Sequence, residues 1–264
     1  MHPIERLRYV ARATLVPADV LARETAMALA DFVGDDAGLL IACRRILDRQ
    51  PASGALVWLA AHVLGAPNQR KALWDAVELL EEDSTQPALA YSLPDDAVVA
   101  SVGWADALST LARKRGDLGF VIIDTDGNAE YHIDRFIDDG QNIVTVDAEA
   151  IAQAVFGATH LLVSFDALGP EHGLAPIGSF PAAAVACHLG VPVWGIASIG
   201  VALNDRMYGG LTRRWNEQTT DSRYLREREE VPTTLVDQVV TTAGLITPEQ
   251  AVQAGGCPIV AELF

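Results

Sequence analysis

Residues 160–197 read HLLVSFDALGPEHGLAPIGSFPAAAVACHLGVPVWGIA, and the fold follows from how this stretch divides. His160–Phe165 is a short run, continuously apolar at Leu161-Leu162-Val163, as expected of a strand covered on both faces. Ser179–Leu189, with Pro181 in its first turn, reads as a helix. Pro192–Ala197 is a second short apolar run. From Leu174 to Asn204 there is no Asp, Glu, Lys or Arg, a length able to span a bilayer. Pro176, Pro181, Gly190, Pro192, Gly195 and Gly200 punctuate that stretch, however, so a helix followed by a strand is the better reading. Strand, helix, strand implies a right-handed crossover and a parallel sheet.

The same alternation extends upstream. Ala97–Val102, Phe120–Thr125 and Asn142–Val146 are further strand candidates, separated by helical segments at Ala105–Lys114, His132–Asp138 and Ala148–Phe156. Downstream the pattern is less regular. Arg213 to Glu230 is charge-dense without an apolar period and reads as a long exposed loop or partner-contacting arm. Thr233–Ala243 reads as a helix stopped by Gly244. The fold class is therefore α/β, with a Rossmann-like parallel-sheet domain over residues 87–264.

Residues 1–86 are different. Leu21, Thr25, Ala28, Leu29 and Phe32 fall on one helical face that Pro17 could start. Leu39, Leu40, Cys43, Ile46 and Leu47 form a second face, stopped by Pro51. Leu56, Leu59, Ala60, Val63 and Leu64 form a third, closed by Gly65 and Pro67. Leu73, Trp74, Val77 and Leu80 form a fourth, running into Glu81-Glu82-Asp83. Nothing here alternates with period two. This is a helical N-terminal domain, and Ser84-Thr85-Gln86-Pro87 is its boundary.

The composition supports a chain with a sizeable core: of 264 residues, 50% are hydrophobic and 20% charged. Asp and Glu number 35 against 19 Lys and Arg, a formal charge of −16. A field of that sign repels nucleic-acid backbones and anionic membranes, so neither is an expected partner. The three cysteines, Cys43, Cys187 and Cys257, lie far apart without CxxC spacing. They suggest reduced thiols in a cytoplasmic protein rather than disulfides or a metal centre. The N-terminal Met1-His2-Pro3-Ile4-Glu5-Arg6 carries charge where a signal peptide needs an apolar run.

Ligands of open parallel sheets bind beyond the carboxyl ends of the strands, which directs attention to Ser101, Thr125, Asp126, Asp147, Asp166 and Ser198. Asp147 directly precedes a helix and reads as its cap. Asp166 has no helix close behind it and reads as a site residue. Gly178 and Ser179 open a helix whose free N–H groups suit a phosphate or carboxylate, although Ser179 also suits an ordinary N-cap. Neither GxGxxG nor GxxxxGK[ST] occurs, the histidines lack metal spacing, and no GxSxG elbow is present. No cofactor or metal is expected. His172 reads as an exposed loop residue; His62, His188 and Cys187 read as packed.

Three stretches in order, Val163-Ser164-Phe165-Asp166-Ala167, Ala175-Pro176-Ile177-Gly178-Ser179 and Gly190-Val191-Pro192-Val193-Trp194, resemble a known signature. It joins the regulatory subunits of initiation factor 2B with methylthioribose-1-phosphate isomerase and ribose-1,5-bisphosphate isomerase. Asp95-Asp96-Ala97-Val98-Val99-Ala100-Ser101 resembles the family's first strand. Val231-Pro232 and Asp237-Gln238-Val239-Val240-Thr241, with Gly244, resemble its closing segment. The likeness covers most of residues 90–245. It implies a homodimer through the α/β domain and a pocket for a phosphorylated sugar or nucleotide between the helical domain and the rim holding Asp166, Gly178 and Ser179.

The departures bear on activity. The isomerases carry a catalytic Cys after the first strand, where this chain has Ala100-Ser101-Val102-Gly103-Trp104. Their Asn-Lys pair is Ala175-Pro176 here. Their Arg-Gly-Ala phosphate motif is echoed by Ser53-Gly54-Ala55 with Arg49 upstream. Of their acid/base pair only Asp166 remains, and losing one partner removes about 10²–10⁴ in rate. The resemblance therefore implies a ligand-binding protein without the isomerase activity. Two alternatives are an active isomerase using Asp166, with Ser101 as a substitute group, and a structural or interaction subunit using Arg213–Glu230 as its arm.

Overall fold

The structure is a computed structural model and describes residues 18–127, 129, 133, 134, 136, 140–218 and 227–264. Five helices come first: α1 (Ala18–Leu29), α2 (Asp36–Arg49), α3 (Gly54–Gly65), α4 (Gln69–Glu81) and α5 (Thr85–Ser92). The four expected apolar faces fall on α1 to α4, except that Phe32 lies in a 3₁₀ turn, Ala30–Phe32, after α1, and Trp74 is exposed on α4. Side chains of Asp35, Ser53 and Asn68 accept N–H bonds at the starts of α2, α3 and α4, satisfying donors that an uncapped helix leaves free. Helix α3 is buried on nearly every side from Gly54 to Val63, which makes it the central element of this layer.

The chain then alternates through β1 (Val98–Val102), α6 (Asp106–Lys114), β2 (Gly119–Asp124), β3 (Asn142–Asp147), α7 (Ile151–Phe156) and β4 (His160–Ser164). The hairpin β5 (Ala167–Leu168) and β6 (His172–Pro176) leads into α8 (Ser179–Leu189), followed by β7 (Val193–Ile196) and α9 (Asp205–Gln218). Last come β8 (Arg228–Pro232), β9 (Gln238–Thr241), β10 (Gly244–Ile246) and α10 (Pro248–Ala254). The main sheet has the order β10-β9-β7-β4-β1-β2-β3. Every neighbouring pair is parallel except β9 with β10. A second sheet, β5-β6-β8, is antiparallel.

The inner strands β1, β2, β4 and β7 are covered on both faces, which is why they are apolar at successive positions, while the edge strand β3 has no buried residue. Val99, Phe120, Ile122, Leu162 and Trp194 pack in one core with Leu89 of α5 and Leu108 and Leu111 of α6. Ala100, Val102, Ile123, Leu161 and Val163 pack on the other side with Ala182, Ala183 and Ala186 of α8. A third core joins α1 to α4 with Ala167, Leu174, Leu203, Met207, Leu211 and Trp215. The N-terminal helices thus share apolar burial with β5, β6 and α9.

Several expectations are corrected. Residues 213–218 of the charge-dense segment belong to α9 and residues 228–230 to β8, while 219–226 lie outside the described residues. Met207, Leu211 and Trp215 form an i, i+4, i+8 face, each under 5% exposed, and that face begins upstream of the charges. Thr233–Ala243 is not an α-helix. After a 3₁₀ turn at Thr233–Leu235, the chain enters β9, and Gly244, at φ +91°, follows a tight turn into β10. The β-branched pair Val239 and Val240 is fully buried beside β7, an environment that favours a strand. Of the expected helix at 132–138, residues 133, 134 and 136 are described, and they are helical. Cys187 and His188 are exposed rather than packed, because Ala182, Ala183 and Ala186 form the inward face of α8. His172 lies half-buried in β6 instead of in an open loop.

Candidate functional site at the carboxyl edge of the sheet

Ser164 ends β4, and the chain turns at Asp166, whose N–H donates to the Leu174 carbonyl at 2.8 Å. The Asp166 carbonyl accepts the Gly54 N–H at 2.8 Å. A Cβ on Gly54 would lie 2.8 Å from that oxygen, 3.0 Å from the Val201 carbonyl and 3.1 Å from Ala167 Cα. The start of α3 therefore seats on the edge through a backbone-to-backbone approach that only glycine permits. Gly200, at φ +84°, meets α3 from the loop after β7, where a Cβ would lie 3.1 Å from Ala55 Cα. Asp83, the end of the acidic run after α4, adds a polar tie. Its carboxylate accepts the Ile199 N–H at 2.9 Å and the Thr85 N–H at 2.8 Å.

The Asp166 carboxylate accepts a hydrogen bond from Arg228 Nε at 2.5 Å. Both side chains keep about a third of their area open, 34% for Asp166 and 35% for Arg228. Burial raises the Asp166 carboxyl above its ordinary range, and the charge and hydrogen bond of Arg228 oppose that rise. Arg228 sits opposite Pro176 in the β6–β8 register.

Gly178 adopts φ +98°, and a Cβ there would lie 2.9 Å from Thr125 Cγ2 and 3.5 Å from Val102 Cγ1. It therefore abuts the carboxyl ends of β1 and β2, while Asp166 follows β4, the other neighbour of β1. The two expected site elements share one edge, on either side of the place where the strand order reverses. The N–H groups of Gly178 and Phe180 both donate to Glu229 Oε1, at 2.7 and 2.8 Å. The N-terminus of α8 thus carries a carboxylate supplied by the chain itself.

Among the other expected residues, Ser53 caps α3, with Oγ accepting from the Leu56 N–H at 3.4 Å. Ser179 is buried as the first residue of α8, and Ser101 is buried within β1 at 1% exposure. Arg49 is exposed in the last turn of α2, and the cation on Asp166 is instead Arg228. Asp147 occupies the N-cap position of the turn before α7 without a side-chain cap bond. Among the described residues, no group of three His, Cys, Asp or Glu is placed to hold a metal ion, and no helix is long and apolar enough to cross a membrane. A separate concavity of about 380 Å³ opens at the opposite edge of the sheet, beside Cys187, Pro192 and Trp194 before and within β7, and Asp237 before β9.

Sequence reasoning missed Arg228, Glu229 and Asp83. The role of Arg228 and Glu229 depends on register: the pairing of β8 with β6 brings Arg228 opposite Pro176 and Glu229 opposite Ala175, while Asp83 acts through a contact 116 residues away in sequence. The one available signal was Asp166 itself, an aspartate after an apolar strand with no cation nearby in sequence, which calls for a partner from elsewhere.

No known family profile matches the sequence, and no curated protein matches it. Solved structures do match. The translation initiation factor eIF-2B of Pyrococcus horikoshii OT3 superposes with TM-score 0.75 at 14% identity, covering 95% of this chain and 98% of that one. The tetrameric eIF2B-beta2-delta2 complex from Chaetomium thermophilum gives TM-score 0.69 at 15% identity, covering 99% and 94%. The 5-methylthioribose 1-phosphate isomerase of P. horikoshii OT3 gives TM-score 0.63 at 15% identity, covering 96% and 86%. Over nearly its whole length, the chain has the fold common to initiation factor 2B subunits and 5-methylthioribose 1-phosphate isomerase.

Proposed function

We propose that this chain is an initiation factor 2B-like protein that binds a phosphorylated sugar or nucleotide at the carboxyl edge and does not carry out the isomerisation. The observation that carries the proposal is the convergence of three elements on Asp166: the end of β4, the glycine start of α3, and Arg228 of β8. The guanidinium supplies a local cation in a chain of net charge −16, which an anionic ligand needs. Against turnover, Ser101 is enclosed in β1, and no thiol stands between Ala100 and Trp104. We further propose a helical domain over residues 1–86, an α/β domain over 87–264, a cytoplasmic location and a homodimer through the α/β part. Subunit assembly is supported by the tetrameric complex named for the C. thermophilum neighbour; the homodimer follows from the sequence resemblance.

One observation favours an active isomerase as the second reading. A carboxyl raised by burial, as at Asp166, holds a proton more readily than an ordinary carboxylate and is suited to proton transfer. Thermal-shift screening against sugar phosphates and nucleotides tests both. A specific compound that raises the melting temperature without being converted supports the binding protein. Turnover of that compound, abolished by Asp166→Asn, selects the enzyme. No response to any phosphorylated compound rejects both in favour of an interaction subunit.

A further inference from the structure

We propose that the concavity at the opposite, amino-terminal edge of the sheet is a second binding site, and that it takes a neutral planar amine of the amino-heterocycle class. It stands apart from Asp166 and does not depend on the reading of the carboxyl edge.

The concavity measures about 380 Å³, within the range of roughly 300–1,000 Å³ that small-molecule sites occupy. Val191 and Pro192, from the turn after α8, and Leu235, from the 3₁₀ turn, give it apolar walls, and Trp194 and Asp237 bring polar atoms to it. Trp194 carries the inference. It is 9% exposed, and among the described residues its indole N–H, which reaches solvent, has no hydrogen-bond partner. A buried tryptophan ordinarily pairs that donor, so the group calls for an acceptor from outside the chain. The indole is held in place by His160, a buried ring set edge-on to it with centroids 4.6 Å apart. His160 is fixed in turn by Nδ1 on Thr159 Oγ1 at 3.0 Å.

Asp237 is fixed as well. Its N–H donates to the Val193 carbonyl at 2.9 Å, and its Oδ2 accepts the Val193 N–H at 2.7 Å. These bonds hold the carboxylate beside the residue that precedes Trp194 and leave Oδ1 for a donor. Among the described residues no Lys or Arg lines the concavity, so its one formal charge is negative and an anion is repelled. A ligand that donates to Asp237 and accepts from Trp194 satisfies both groups. An amine next to a ring nitrogen carries that donor and acceptor on one edge, and its flat apolar body suits Val191, Pro192 and Leu235.

Cys187, exposed on the same wall, reports occupancy. 2-Aminobenzothiazole, or its anionic counterpart benzothiazole-2-carboxylate, is added to the full chain. Alkylation of Cys187 by iodoacetamide is followed by mass spectrometry, and the indole N–H resonances of the five tryptophans are recorded by NMR. At about ten times the dissociation constant, the amine is expected to slow the alkylation roughly tenfold. The Trp194 indole resonance should move while the other indoles stay, and the carboxylate should do neither. Asp237→Asn keeps an oxygen for the Val193 N–H and removes the charge, and Trp194→Phe keeps a ring against His160 and removes the N–H. Each is expected to weaken the amine roughly threefold or more. Equal effects of the two compounds, or an unchanged affinity in either variant, would overturn the assignment. A Trp194 resonance that stays still in the wild type would overturn it without reference to any variant.

Discussion

The Gly54 N–H donates to the Asp166 carbonyl at 2.8 Å, and a methyl group on Gly54 would stand the same 2.8 Å from that oxygen. One bond therefore sets both the seating of the N-terminal helices on the sheet and the conformation of the candidate site residue. The neighbours are backbone atoms, which cannot rotate aside.

Gly54→Ala is expected to cost about 1–3 kcal/mol through overpacking. For a chain of this size that lowers the melting temperature by about 2–12 °C. Gly209, in the middle of α9 with open space around it, is the control. Gly209→Ala should stabilise by about 0.5–1 kcal/mol through helix propensity and a restricted unfolded chain. Equal melting temperatures for Gly54→Ala and wild type would show that α3 does not seat on Asp166 in this way.

The Asp166 carboxyl is raised by burial, which fixes a sign. Between its ordinary range and its folded value, the native state holds a proton that the unfolded chain has released, so stability falls as pH rises through that window. Asp166→Asn removes this term. The melting temperature of wild type minus that of Asp166→Asn should decline as pH is raised above the usual carboxylate range. A difference that grows with pH would mean that Arg228 outweighs burial and holds the carboxyl down.

The three thiols are free and differ in reach. Cys187 is exposed on α8, while burial pushes the Cys43 and Cys257 thiols up to about 12. Thiolate is the reactive form, so a thiol reagent at neutral pH should label Cys187 quickly. Cys257 should follow slowly, and Cys43 only on unfolding. Peptide mapping by mass spectrometry reads the order, and early labelling of Cys43 would contradict the burial of α2 against α3.

Much of the architecture was legible because periodicity reports burial. Leu161, Leu162 and Val163 alternate between two covered faces of the sheet, and that is visible without coordinates. Ser179–Leu189 was legible from Pro181 and the flanking glycines. Leu211 and Trp215 were obscured because charges dominate the outward face of α9. Val239 and Val240 were misread as helical because a buried two-residue run carries no period of its own. Asp166 and Gly178 could be placed at one edge by strand order alone. Arg228 and Glu229 could not, since cross-strand register is absent from local sequence. A sequence without Cys after β1 predicted a changed site; only the fold showed that its charges are met from β8.

Amide chemical-shift mapping with ribose 5-phosphate tests the central claim most directly. The account predicts perturbations at Gly54, Asp166, Ala167, Gly178, Phe180, Arg228 and Glu229, all at the carboxyl edge. Perturbations confined to Cys187, Val191, Trp194 and Gln238 at the opposite edge, with Gly54 and Asp166 unmoved, would contradict it.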